Sequence, residues 1–312
     1  MDEMIFLGHQ RRSGWTRVTH GVYVDRQHGD DYAALLRSWQ STLPFWSSFT
    51  GLTAARLLGW WLPPLPPDLP LFVAAGRAAR IARPGLDICR HNVLPAWELV
   101  QGVRVPCAAE IVLACARDVE LLDLVAIGDG ALHLGDVTLE QLVSVSRLRR
   151  RGSPLLRRAI GLMDARSESI FETLLRLLHV VGGVAVEPQH LVVGHDGQVV
   201  ARADLRLVGT RMLHELDGSH HRAASQHQGD LRRERRIIAA GYQRRGFTSN
   251  DVLTAPISIL REAEAATGVP HDPSRIKSWY ALVQESMFTP AGRRRLELRL
   301  GVKVETAEER QR

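Results

Sequence analysis

The feature that most constrains this chain is a hairpin pattern over residues 198–217, in which two extended runs flank the turn Val208-Gly209-Thr210. Side chains alternate along a strand, so Glu215 and Asp217 point to one face, and Asp204 can join them across the turn. Three carboxylates in apolar surroundings repel one another, and a divalent cation relieves that repulsion. We therefore predict a magnesium site, the alternative being three solvated acidic residues on a surface hairpin.

The elements around this hairpin predict the order helix, three strands, helix and strand. They are a helix over 167–178, strands over 189–193, 198–207 and 212–217, a basic helix over 225–240 and a strand over 242–247. Ser167 or Ser169 is expected to cap the first helix.

This order, with an Asp in the second strand and Glu-x-Asp-Gly ending the third, resembles the PD-(D/E)XK nuclease superfamily. Its branch related to very-short-patch-repair endonucleases is the most similar. The shared positions are Glu172, Asp204, Glu215-x-Asp217-Gly218-x-His220-His221, Asp230-x-x-Arg233 and Ala240-Gly241-Tyr242-x-x-x-x-Phe247-Thr248. The resemblance covers about residues 164–253 and implies a restriction-endonuclease-like αβββαβ core.

The resemblance also implies roles for the acidic residues. Asp204 and Glu215 would bind the metal, Mg²⁺ with Mn²⁺ as a substitute. Asp217 stands where many members carry a Lys, and it would bind a second metal or orient water. A carboxylate-bound metal provides a hydroxide nucleophile and neutralises charge on the phosphate, which phosphodiester hydrolysis requires.

Three further residues complete the expected catalytic set. His220 or His221 would move a proton, because histidine titrates near neutral pH; the alternative is exposed polar surface after a turn. Glu172 would add a carboxylate from the first helix; the alternative is an i,i+4 pair with Arg176 on the helix surface.

Arginine provides nearly all of the positive charge, and Lys and Arg outnumber Asp and Glu by 40 to 34. Because Arg binds phosphate in a bidentate manner, this balance favours a nucleic-acid partner. The residues expected to contact DNA are Arg17, Arg232, Arg233, Arg236, Arg244 and Arg245. Asp230 and Glu234 compensate part of that charge.

The N-terminal half resembles the AbiEi family of antitoxin-like transcriptional regulators over about residues 10–145. The shared stretches are Arg17-x-x-x-Gly21-Val22-Tyr23-Val24, Thr53-Ala54-Ala55-Arg56-Leu57-x-Gly59 and Gly102-Val103-Arg104-Val105-Pro106. The family implies a winged-helix module at the start. We expect a short basic helix over 1–12 and then a hairpin, which is a reduced winged helix because three helices do not fit before the wing.

The cysteines and the apolar runs indicate the cellular location that we expect. Cys89, Cys107 and Cys115 are widely spaced and form no Cys-x-x-Cys pair, so we expect small core residues in a reducing cytoplasm. No long apolar run predicts a signal peptide or a membrane span, so no membrane partner is expected.

The expected fold class is α/β (α+β) with two domains. The basic run Arg147–Arg151 and the break at Gly152-Ser153-Pro154 mark the boundary. The expected units are an AbiEi-like region over 1–150, a bridging helix over 151–165, an endonuclease-like domain over 166–265, and a helical extension with a polar tail over 266–312.

Two functions follow as expectations. The first is Mg²⁺-dependent hydrolysis of DNA, with an N-terminal module that binds DNA or a partner such as a cognate toxin. The second is a DNA-binding regulator or antitoxin of the AbiEi type that does not catalyse a reaction.

Overall fold

A computed structural model describes residues 5–8, 14–25, 31–217 and 224–302, with the side chains of 224–228 and 230 excepted. The strands are β1 (Ile5–Leu7), β2 (Trp15–Thr19), β3 (Val22–Asp25), β4 (Ser48–Phe49), β5 (Leu71–Gly76), β6 (Leu86–His91), β7 (Trp97–Val100), β8 (Val103–Pro106), β9 (Val186–Val193), β10 (Val199–Leu207), β11 (Met212–Leu216) and β12 (Gln243–Phe247). The helices are α1 (Tyr32–Gln40), α2 (Gly51–Leu57), α3 (Ala108–Cys115), α4 (Leu121–His133), α5 (Leu139–Ser146), α6 (Ser153–Ile160), α7 (Ile170–Val181), α8 (Ala224–Ala239), α9 (Ser249–Thr254), α10 (Pro256–Thr267), α11 (Pro273–Glu285) and α12 (Pro290–Arg299). The fold class is α+β.

The first described residues form a strand, and the expected basic helix over 1–12 is therefore wrong where it can be checked. β1 pairs with β3 in antiparallel register, and Phe6 lies opposite Tyr23. The hairpin of β2 and β3 is present as predicted. An unpaired hairpin edge offers backbone hydrogen bonds to any nearby extended segment, and this tertiary contact overrides a weak helical preference.

The rest of the N-terminal half has a helical core beside small sheets. β5 and β6 are parallel and β4 extends them, while β7 and β8 form a separate hairpin. α3 and α4 are apolar around almost their whole circumference, and both are buried. Cys89 and Cys115 are buried as expected, whereas Cys107 is exposed because it precedes α3 rather than facing the core.

The C-terminal half has the predicted order of elements, α7, β9, β10, β11, α8 and β12. Its strands lie in the order β12-β11-β10-β9, with β11 and β12 parallel and the other pairs antiparallel. α7 packs on one face, where Leu205 joins its leucines, and α8 packs on the other, where Ile237 meets Leu213.

One apolar cluster runs through both halves. It contains Trp39 and Ile127 on one side of the 151–165 segment and Leu174 and Trp279 on the other, with Leu156 within the segment itself. The basic run at the expected boundary therefore does not interrupt the main core, and the division into domains remains an interpretation of the sequence.

Among the helices that the structure describes, none combines the length and the apolar character that crossing a lipid bilayer requires.

Candidate acidic site at the end of the central hairpin

Asp204 and Glu215 lie side by side on neighbouring strands. Leu205 pairs with His214 in the antiparallel ladder, which makes Asp204 and Glu215 the next facing positions. The Asp204 Oδ2 accepts a hydrogen bond of 2.8 Å from the backbone N–H of Leu216. The hairpin therefore brings the two predicted metal-binding carboxylates to one end of the sheet.

A local change in β9 sets the direction of Asp204. Gln189 adopts a left-handed φ of 54° between the ladder pairs Ala203–His190 and Leu205–Pro188. Ala203 packs in the cluster on the α8 face, whereas Leu205 packs in the main core. Strict alternation would put both side chains on one face of the sheet. The alternation is therefore interrupted at Asp204, which lies between them.

Two arginines hold Glu215. Arg233 of α8 donates to both carboxylate oxygens, at 2.9 and 2.7 Å, and Arg244 of β12 donates to one of them. Burial favours the neutral acid, but the hydrogen bonds and charges of the two guanidinium groups outweigh it and lower the pKa of Glu215. Glu215 is therefore ionised at neutral pH although it is buried.

Asp204 has the opposite electrostatic balance. Burial raises the pKa of Asp204 to about 6, and the negative charges of Glu172 and Glu215 add to that rise. The Leu216 N–H and the Arg233 guanidinium oppose the rise without cancelling it. The charge of Asp204 is therefore compensated less than that of Glu215.

Glu172 lies at the start of α7 and faces this site. Ser169 caps the helix, and Glu172 accepts hydrogen bonds from the Ser169 hydroxyl at 3.0 Å and from the Gln189 amide at 2.8 Å. The alternative pairing with Arg176 is wrong, because Arg176 turns inward to Asp129 at 2.7 Å. Glu172 is therefore oriented toward the strands.

Asp217 is placed by the absence of a side chain at Gly246. A Cβ on Gly246 would lie 2.1 Å from Asp217 Oδ2, so a larger residue there would displace this carboxylate. Arg244 donates a hydrogen bond to Asp217 as well as to Glu215. The Arg244 guanidinium thus bridges the two acidic residues of the Glu-x-Asp motif.

Comparisons of the chain with known protein families, curated proteins and solved structures found no match. What the site can do therefore follows from its own side chains.

His214 points to the opposite face, as strand alternation predicts. The Nδ1–H of His179 donates to the Leu175 carbonyl at 2.7 Å, so the His179 Nε2 accepts from the Nδ1–H of His214 at 2.9 Å. Burial lowers the pKa of His179 to about 4 and that of His214 to about 3. Both rings are neutral at pH 7 and belong to the core beside Phe247.

Three of the other predicted arginines are exposed on the surface. Arg232 and Arg236 lie on α8, and Arg17 lies on β2, where it contacts His20. Arg245 does not join the acidic site, because its side chain pairs with Glu262 of α10. His220 and His221 lie outside the described residues.

Two contacts of the site were not predicted from the sequence. Gln189 orients Glu172 through its side-chain amide, and Arg202 binds Glu168 at 2.6 Å beside it. A glutamine with positive φ leaves no mark in the hydrophobic pattern. Arg202, in contrast, lies two residues before Asp204 on the same strand. Strand alternation therefore predicts its side chain on the same face as that of Asp204.

The donor chemistry of the site fits a hard divalent cation, since Asp204, Glu215 and Glu172 provide carboxylate oxygens. Within the described ranges, no three His, Cys, Asp or Glu side chains are arranged as ready ligands. Both oxygens of Glu215 are bound by a guanidinium group, which competes with a cation for them.

Proposed function

We propose that residues 166–265 form an endonuclease of the very-short-patch-repair-like branch of the PD-(D/E)XK superfamily, which hydrolyses DNA with Mg²⁺. The observation that carries the proposal is the facing of Asp204 and Glu215 on adjacent strands, with Glu172 of α7 near enough for its charge to act on Asp204. The helix–three strands–helix–strand order around them supports it.

The charge balance supports a cation at the Asp204 side. The pKa of Asp204 is raised by burial and then by Glu172 and Glu215, and a bound cation would relieve this repulsion. Asp204 and Glu215 would hold it, with Asp217 at a second position. When bound, Mg²⁺ supplies an activated water and neutralises charge on the phosphate.

The arginines provide the complementary function of binding the DNA backbone. Arg233 and Arg244 lie directly beside the carboxylates, and a phosphate oxygen can compete with Glu215 for their N–H groups. Arg232 and Arg236 extend the positive surface along α8. His220 or His221 would carry the proton in this proposal, and an AbiEi-like N-terminal module, including Arg17, would bind DNA or a cognate toxin.

Cleavage of supercoiled plasmid with Mg²⁺ or Mn²⁺ tests the proposal. Asp204→Asn and Glu215→Gln keep the shape of each side chain and remove its charge, so we expect each to reduce cleavage by about 100-fold or more. Glu234→Gln is the matched control, because Glu234 is exposed on α8. Nicking that persists unchanged in both variants would contradict the proposal.

A second candidate is a DNA-binding regulator or antitoxin of the AbiEi type that binds DNA without cleaving it. The observation that favours it is the full engagement of Glu215 by Arg233 and Arg244. This candidate expects DNA binding without cleavage, and no rise in the thermal midpoint on adding Mg²⁺, since a ligand stabilises only the state that binds it.

A further inference from the structure

A cleft of about 750 Å³ lies in the N-terminal half, away from the residues of the acidic site. Its walls are the end of β6, the segment that follows it, one side of α3 and the basic run before α6. Six arginines line it: Arg77, Arg90, Arg117, Arg149, Arg150 and Arg151. The cleft is thus a concave surface with a concentration of positive charge.

This charge is only partly compensated. Glu110 is the one carboxylate among the described lining residues, and it pairs with Arg150 at 2.6 Å. Arg151 approaches Asp118 at 3.7 Å, behind the cleft wall. Neighbouring guanidinium groups that repel one another are stabilised when an anion binds between them, and phosphate matches their bidentate geometry.

Three side-chain nitrogens of residues that line the cleft are buried and have no hydrogen-bond partner among the described residues. They are the Nε of Arg117, the Nε of Arg150 and the Nε2 of His91. A buried polar group without a partner costs free energy, and such groups are rare in native proteins. All three belong to residues that line the cleft, so a small rotation of these side chains lets them donate to a ligand with several acceptor oxygens.

His91 is suited to bind such a ligand as a neutral donor. Burial and then the charges of Arg117 and Arg150 lower the pKa of His91, so its ring is uncharged at neutral pH. In the tautomer that carries its proton on Nε2, it can donate one hydrogen bond without adding to the repulsion.

The cleft also has apolar walls, provided by Leu94, Pro95, Leu113 and Leu148. Its volume is in the range of pockets that enclose small organic ligands. Inorganic phosphate would leave most of this space unfilled, whereas a nucleotide presents a flat apolar base together with several charged oxygens.

We propose that this cleft binds a nucleoside di- or triphosphate, with its phosphates on the arginines and His91 and its base against the apolar wall. The site shares no residue with the acidic cluster, so it stands independently of the nuclease proposal. Its chemistry gives the basic run around Arg149 a ligand-binding role.

Titration calorimetry on the full chain tests the proposal, with ADP, ATP, adenosine and inorganic phosphate as probes. The buffer contains a chelator, so that metal binding at the acidic site does not contribute. We expect ADP and ATP to bind at least about ten-fold more tightly than adenosine or inorganic phosphate, because only they use both parts of the cleft.

The variant Arg77→Gln/Arg149→Gln removes two exposed cleft arginines and should weaken ADP binding by about ten-fold or more. Arg147→Gln is the matched control, because Arg147 belongs to the same run, is exposed and does not line the cleft. An unchanged thermal midpoint establishes that both variants fold.

Three results would overturn the proposal. They are no binding of ADP or ATP at millimolar concentration, equal affinity in the double variant and the control, and binding of only a single-stranded oligonucleotide that lacks terminal phosphates. The last result would assign the cleft to a nucleic-acid backbone.

Discussion

Arg176 and Asp129 form a buried ion pair, 2.7 Å apart, that joins the helix of the acidic site to the N-terminal half. Asp129 also accepts a hydrogen bond of 2.8 Å from Thr173 and one of 2.7 Å from the backbone of Asp164. Burial raises the pKa of Asp129 to about 6 even though Arg176 opposes the rise. The orientation of α7, and with it the position of Glu172, depends on this contact.

Removing one partner of this pair should destabilise the protein strongly. Arg176→Leu leaves the Asp129 carboxylate buried without its counter-ion, and we expect a loss of about 3–5 kcal/mol at pH 7.5 in urea denaturation. The loss should shrink toward pH 5, because Asp129 can then be protonated in the folded state.

Two variants serve as controls for this prediction. Arg176→Leu/Asp129→Leu removes both charges and should recover much of the lost stability. Arg158→Leu changes an exposed arginine of α6 and should alter the free energy of unfolding by less than about 0.5 kcal/mol. A loss in Arg176→Leu no larger than in Arg158→Leu would show that the pair does not hold the halves together.

The contribution of Ser286 to stability should depend on pH, because its hydroxyl donates to the Asp123 carboxylate. The Ser286 hydroxyl and the backbone N–H of Met287 donate to the buried Asp123 carboxylate, whose pKa burial raises to about 6. A raised acid pKa means that stability is fully present below the unfolded pKa and is lost as pH rises through 6. Ser286→Ala removes a bond that favours the ionised form, so we expect it to cost about 1–3 kcal/mol at pH 7.5 and less at pH 5.

Denaturation curves of the wild type and Ser286→Ala at the two pH values measure this difference. Thr254→Ala is a suitable control, because the Thr254 hydroxyl donates only to the Asn250 carbonyl on an exposed helix. An equal cost of Ser286→Ala at both pH values would mean that the hydroxyl does not act through the charge of Asp123.

Gly246→Ala should displace Asp217. The added Cβ would lie 2.1 Å from Asp217 Oδ2, so the carboxylate must move away from Arg244. Because Asp217 is partly exposed, weakening its ion pair should cost no more than about 1 kcal/mol in stability, and, if the nuclease proposal holds, cleavage should be lost. Gly229→Ala in α8 meets nothing within 4 Å and should instead stabilise by about 0.5–1 kcal/mol. The same sign of change at both glycines would contradict this account.

The salt dependence of DNA binding should show whether the exposed arginines of α8 contact DNA phosphates. Arg232→Gln/Arg236→Gln removes two phosphate contacts of the proposed interface, so the slope of log affinity against log salt should fall by about 2. Arg245→Gln should change the slope less, because Glu262 already pairs with Arg245. Fluorescence anisotropy with a labelled duplex measures both slopes, and equal slopes for all three proteins would place the DNA elsewhere.

The elements of the C-terminal half follow from local pattern. The cap at Ser169, the turn at Gly209 and the alternation that separates His214 from Glu215 all act over a few residues. Such short-range rules can be read from the chain. The hairpin register alone predicts that Asp204 and Glu215 face each other.

The partners of the charged residues could not be predicted in this way. The helical spacing allows Arg176 to pair with Glu172 one turn away, yet Arg176 binds Asp129, which is 47 positions distant in the sequence. Arg245 was assigned to the DNA-binding surface, yet it pairs with Glu262. A charged side chain has several partners within reach, and only the packing of distant elements decides which one is nearest.

By itself, the sequence determined the order of α7, β9, β10, β11, α8 and β12, and it determined which faces of the hairpin carry acids. Only the tertiary structure decided that residues 5–7 are a strand, that Gln189 turns the strands at Asp204 and that two arginines bind Glu215. The physical reason is the separation along the sequence over which each interaction acts. Periodicity and capping act between near neighbours, whereas ion pairing, burial and strand addition act between residues that become neighbours only when the chain folds.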